Sequence, residues 1–170
     1  MATFTINIEA SNDSVVACGT LVIPNQSLGI YETTFELGSN TGTAGINYNG
    51  QGIPDRFQIE YNGVIVADSK YVGNSLSGTP LTYNGLVNTF NNITIYEYDG
   101  SGYINTGLTN TITVAQSDIA DNSTQYPSAG SGTLTFNKTN ASPSTIKVIV
   151  TAPLANTGWN MSSICPTTIP

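Results

Sequence analysis

The strongest constraint on the fold is a period of two in hydrophobicity, repeated along a chain that Gly, Pro and Asn-Gly pairs interrupt at short intervals. Phe4, Ile6 and Ile8 alternate with Thr5 and Asn7. Phe57, Ile59 and Tyr61 alternate with Gln58 and Glu60. Ile112 and Val114, Leu134 and Phe136, and Ile146, Val148 and Val150 repeat the pattern with Thr or Lys between them. A strand sends successive side chains to opposite faces, so each run reads as a strand with one buried face. No window longer than about ten residues keeps a helical period. Asn62-Gly63, between the 57–61 and 64–67 runs, is the strongest short hairpin signal, because a two-residue turn needs positive φ at both positions. Asp99-Gly100 marks a second hairpin over 93–106, and Asn49-Gly50 and Asn84-Gly85 are further turn pairs. Pro54, Pro127, Pro143 and Pro153 fall between runs, where no ladder hydrogen bond is lost. The pattern predicts an all-β chain: an antiparallel β-sandwich, jelly-roll or immunoglobulin-like, of roughly nine to eleven short strands. Residues 1–170 read as a single domain, with 74–131 an inserted hairpin and loop region.

Composition narrows the function classes. The 170 residues include 4 Lys or Arg and 11 Asp or Glu, with no His, for a net charge of -7. Four cations cannot neutralise a run of phosphates, which excludes a nucleic-acid partner. The same balance opposes docking on anionic lipid, and no apolar run is long enough to insert in a membrane. Residues 1–10 carry neither a basic segment nor a continuous apolar one, so no secretion leader is expected. Without His the chain lacks the commonest general base and zinc ligand, and no Ser-His-Asp triad can form. No motif marks a carboxylate pair, so an enzyme is not expected. Nine Tyr, five Phe and many β-branched residues oppose disorder.

Candidate sites follow from side-chain chemistry. Calcium favours carboxylate and carbonyl oxygens. Asp55 and Asp68 flank one hairpin, where convergence would make a calcium site, and Asp118 and Asp121 form a second cluster; the competing and favoured reading is solvated turn carboxylates. No EF-hand spacing accompanies them. Tyr96 and Tyr98 share a strand face with Tyr103 across the turn, and Tyr83 and Tyr126 lie in flanking loops. Exposed, these tyrosines would make a sugar-binding surface; the competing reading is ordinary cross-strand packing. Arg56, the one arginine, is expected to pair with Asp55, Asp68 or Glu60. Trp159 is expected in the core. Cys18 and Cys165 lie near opposite ends of the chain; lacking a leader, the reading favours two buried thiols over a bridge.

Two blocks carry a resemblance. The first runs through Leu37-Gly38-Ser39, Thr41-Gly42, Ile53-Pro54-Asp55-Arg56-Phe57, Tyr61-Asn62-Gly63, Ala67-Asp68-Ser69 and Tyr71-Val72-Gly73. The second holds Thr133-Leu134-Thr135-Phe136-Asn137-Lys138, Trp159 and Cys165-Pro166. Together they cover a little under half of the chain. They resemble a β-sandwich module of bacteriophage structural and tail-associated proteins and of some bacterial surface proteins. The resemblance implies a non-enzymatic virion component: a head decoration, head fibre, spike or tail-associated module. Made in the host cytoplasm, it would sit on the virion surface as a homo-oligomer among other virion proteins, with loops positioned to touch a host surface glycan. The alternative is a calcium-assisted carbohydrate-binding or adhesin module built on Asp55, Asp68 and the tyrosine hairpin. Cofactors are otherwise none.

Overall fold

In the computed structural model, residues 14–24, 28–73, 85–120 and 130–167 are described. They form ten strands: β1 (Leu21–Val22), β2 (Gly29–Glu36), β3 (Gly42–Asn49), β4 (Asp55–Tyr61), β5 (Val64–Val72), β6 (Thr89–Tyr98), β7 (Tyr103–Thr113), β8 (Ser131–Lys138), β9 (Thr145–Ala152) and β10 (Asn160–Ile164). A single 3₁₀ turn at Gln116–Asp118 is the one helical element among the described residues. The strands make two sheets, of order β1-β10-β3-β8 and β5-β4-β9-β2-β6-β7. The sheets pack together as an all-β sandwich.

The alternation seen in the sequence sets the inner layer. From the larger sheet come Tyr31 and Phe35 of β2, Phe57 and Ile59 of β4, and Ile146, Val148 and Val150 of β9. Ala44, Ile46 and Met161 face them from the smaller sheet. Trp159 is fully buried at the centre, with ring centroids 5.2 Å from Tyr31, 5.7 Å from Tyr103 and 6.1 Å from Phe57. Edge-to-face rings at these separations add specific attraction to the burial itself.

Turn chemistry acts as expected where the turn is short. Asn62 and Gly63 have φ of 54° and 76°, the left-handed pair that joins β4 to β5 in two residues. The β6–β7 turn takes four residues, and Asp99 closes it by accepting hydrogen bonds from the Ser101 N–H, the Ser101 hydroxyl and the Gly102 N–H.

Two expectations need correction, and one pairing adds a detail to the antiparallel sandwich expected: β2 pairs with β6 in parallel, Ile30 opposite Ile95. Three intervening strands separate them in sequence, so β6 arrives beside β2 by a crossover and not by a turn. Cys18 and Cys165 are joined in a disulfide and are not buried thiols; Cys165 is exposed. The cause is the β1–β10 pairing, Leu21 opposite Ser162, which leaves the two Cα atoms 5.8 Å apart, within a bridge's normal span. Asp55 and Asp68 do not converge: Asp55 points into the sandwich with no exposed surface, and Asp68 lies on the outer face.

The 74–131 region is not a detached excursion over its described part. β6 and β7 supply two of the six strands of the larger sheet, and Ile93 and Tyr103 enter the buried set. Register shifts between Phe90 and Ile93 and between Thr94 and Tyr96, with positive φ at Asn92 and Gly107, break the ladder of this hairpin and bend it. Its far end and the chain beyond it build a second, small core of Leu86, Val114 and Ile119 against Tyr71, with Phe90, Ile112 and Leu154 packed around it.

Candidate functional site

The bend places the end of β7 over the outer face of the larger sheet. Between them lies a cleft of about 290 Å³. Its floor is formed by outward positions of the central strands: Ile30 and Glu32 of β2, Arg56 and Gln58 of β4, Ile149 and Thr151 of β9. Asn110, Thr111, Ile112 and Thr113 of β7 form one wall and Tyr71 closes the other side.

One ion network organises the floor. Arg56 grips Asp68 with two hydrogen bonds, Nε to Oδ1 at 3.0 Å and Nη2 to Oδ2 at 2.6 Å. Its Nη1 reaches Asp118 Oδ1 at 3.4 Å, and its guanidinium carbon lies 5.8 Å from the centre of the Tyr71 ring. Gln58 Nε2 and the Lys70 N–H donate to Asp68 as well, at 3.2 and 2.8 Å. Burial alone pushes the Asp68 carboxyl up, but Arg56, Lys70 and Gln58 together more than offset this and hold it below its usual range. Planar two-point pairing of this kind fixes geometry as well as charge. A second pair on the same face, Lys147 Nζ to Glu32 Oε2 at 3.1 Å, is more exposed and contributes about 0–1 kcal/mol.

The expected metal ligands are therefore dispersed. Asp68 and Asp118 do meet, but the cation between them is Arg56, and it occupies both Asp68 oxygens that calcium would need. Asp118 also accepts a hydrogen bond from the Ala115 N–H through its other oxygen. Asp121 lies outside the described residues. Among those residues no group of three acidic or Cys side chains gathers that could hold an ion. Of the three partners expected for Arg56, Asp68 is the one found, and Asp118 is an addition.

Asp55 sits instead in the sandwich interior. Its Oδ2 accepts from the Thr157 hydroxyl at 2.7 Å, while its Oδ1, the Tyr31 hydroxyl and the Trp159 indole N–H have no hydrogen-bond partner. Burial drives the Asp55 carboxyl well above its usual range, and the Thr157 bond opposes this only in part.

The tyrosine hairpin is drawn inward. Tyr103 is buried and hydrogen-bonded to Thr33. Tyr96 is half-buried and stacks on Tyr31 at 5.2 Å, and Tyr98 meets Tyr103 edge-on at 5.2 Å. These three rings extend the Trp159 cluster and do not make an exposed sugar platform. Tyr83 and Tyr126 lie outside the described residues. The cleft residues Glu32, Gln58, Asn110 and Thr111 carried no signal in the sequence, since exposed polar positions on strands look alike until the hairpin bends over them.

No protein-family model, no curated protein and no solved structure matches this chain.

Proposed function

We propose that the chain is a non-enzymatic structural module of a bacteriophage particle, displayed on the virion surface and held there through the margins of its sandwich. The observation that carries this reading is the location of exposed apolar side chains. Leu21 of β1, Val64, Ile65 and Val66 of β5, and Ile104 and Leu108 of β7 all belong to strands at sheet edges. Apolar surface left on a strand that also offers unpaired backbone groups favours lateral contact with a neighbouring chain. The disulfide ties the first and last described parts of the chain together, as suits a module that must survive outside a cell. Proteomic analysis of purified particles tests the reading: the chain is expected in them at a fixed stoichiometry, and its consistent absence from particle preparations would overturn the proposal.

A second reading rests on the cleft. Its volume suits a single sugar residue, and its walls mix Gln, Asn and Thr side chains with Ile and Tyr surfaces, the usual character of a small-ligand site. Binding there needs no calcium, because Arg56 already supplies the positive charge beside Asp68. On a glycan array this reading predicts signal that survives EDTA and falls when Asn110→Ala removes one wall contact; an array without signal removes it.

A further inference from the structure

The pairing of β4, β9 and β2 sets their outward side chains in rows across the larger sheet. Arg56, Thr151 and Ile30 make the first row, and Gln58, Ile149 and Glu32 the second. These two rows floor the cleft under β7. Glu60, Lys147 and Thr34 make the third row, and Thr145 stands in the fourth. The last two rows floor a second hollow of about 370 Å³, walled at its far end by Asn62, Gly63 and Pro143. Pro143 is held there by the Tyr61 hydroxyl, which donates to its carbonyl at 3.2 Å. Successive rows lie two residues apart, about 6.8 Å, so four of them extend about 20 Å along the strands. The Lys147–Glu32 pair joins the third row to the second and marks the boundary between the hollows.

The chemistry of this strip selects its occupant. β4, β9 and β2 each have a strand on both sides, so their backbone N–H and C=O groups are engaged in ladders and the face presents side chains only. An extended peptide laid there would leave its own amides without partners, whereas sugar hydroxyls both donate to and accept from side chains. Each hollow sets such side chains beside an apolar surface: Gln58 and Thr151 beside Ile149 in one, Asn62 and Thr34 beside Pro143 in the other. Charge narrows the class. Glu32, Glu60 and Glu97 surround Lys147, and Asp68 and Asp118 flank Arg56. With Lys70 counted beside the strip, three cations stand against five carboxylates, and each cation is engaged: Arg56 by Asp68 and Asp118, Lys147 by Glu32, Lys70 by the Ser117 carbonyl. An acidic sugar would meet net repulsion there.

We infer that the strip is one groove for an uncharged oligosaccharide of at least two units, laid along the strands with a sugar in each hollow and its linkage crossing the Lys147–Glu32 pair. The inference rests on the cleft reading above and extends it from a single sugar to a chain of stated charge and direction. It is compatible with a module held by its margins, because the strip lies on the outer face of the larger sheet and away from the β5 and β7 edges.

The test is a glycan array carrying neutral and sialylated chains, probed with the purified full chain, followed by calorimetric titration of a neutral hit and of its fragments down to the monosaccharide. Neutral chains are expected to bind in preference to sialylated ones, with affinity rising about tenfold or more from one unit to two. Thr34→Ala and Asn62→Gly each remove a side chain from the second hollow, and glycine keeps the left-handed φ of the turn. Each is expected to weaken binding of the longer chain about three- to tenfold. Circular dichroism verifies that the variants are folded. Should either unfold, chemical-shift changes in the unaltered chain decide: shifts at Thr34 and Thr145 as well as Asn110 support the groove, and shifts confined to the cleft overturn it. Affinity that stops rising at one unit, or that falls with Asn110→Ala but with neither second-hollow variant, refutes the groove and leaves the cleft reading standing. Preferential binding of sialylated chains refutes the groove as stated. An array silent throughout removes both readings and leaves the strip to a protein neighbour.

Discussion

Asp55 is the side chain whose environment is most at odds with its chemistry. The unfolded carboxyl ionises near 3.8, whereas the folded one stays protonated to a higher pH. Between those two values the folded state holds the extra proton, so the contribution of Asp55 is fully present below its unfolded value and is lost as pH rises through the folded one. Asp55→Asn keeps an acceptor for Thr157 and removes the ionisable group. It is expected to raise stability at pH 7 by about 1–3 kcal/mol and to remove the fall in melting temperature that Asp55 contributes as pH rises above its unfolded value. Asp68 behaves oppositely. Its folded carboxyl is held below 3.8, so its contribution is present above that value and lost as pH falls through the folded one. Arg56→Ala strands both Asp68 and Asp118; for this partly buried network a loss of about 1–2 kcal/mol is expected in chemical denaturation at pH 7, largely recovered in the Asp68→Asn, Arg56→Ala double variant.

At the scale of elements, local rules located some strands and missed others. The 57–61, 134–136 and 146–150 alternations became β4, β8 and β9, whose inward and outward sides match the pattern. β2 sits in the middle of the larger sheet yet carried no clear alternation. Its inward row includes Thr33, which is buried because Tyr103 satisfies its hydroxyl. That partner is 70 residues away, so no local reading could supply it. The same limit explains the cleft, which depends on bulges in β6 and β7, and the parallel β2–β6 pair, which depends on a crossover. Close packing of elements gives a further test. A Cβ at Gly45 would collide with the Leu134 carbonyl oxygen across the β3–β8 ladder. Neither strand can yield without breaking its pairing, so Gly45→Ala is expected to cost at least about 2 kcal/mol in thermal or denaturant unfolding.

For the whole molecule, low charge has a structural counterpart. Three of the four cations lie on or beside the outer face of the larger sheet, at Arg56, Lys70 and Lys147. The fourth, Lys138, is buried and donates to the carbonyls of Asn40, Asn140 and Ala141. The disulfide spans 147 residues, and in the chain-entropy account a closure of that length contributes about 5 kcal/mol. Reduction, or Cys18→Ser with Cys165→Ser, is therefore expected to lower the melting temperature by about 10–20 °C without changing the far-ultraviolet dichroism of the folded state. The central claim, that the chain works through its margins, is tested most directly by amide exchange of the chain free and bound to purified particles. The account predicts protection gained at the sheet edges, foremost at residues 64–67, and none at Asn110 to Thr113 of the cleft. Protection confined to the cleft, or no difference between the two states, would contradict it.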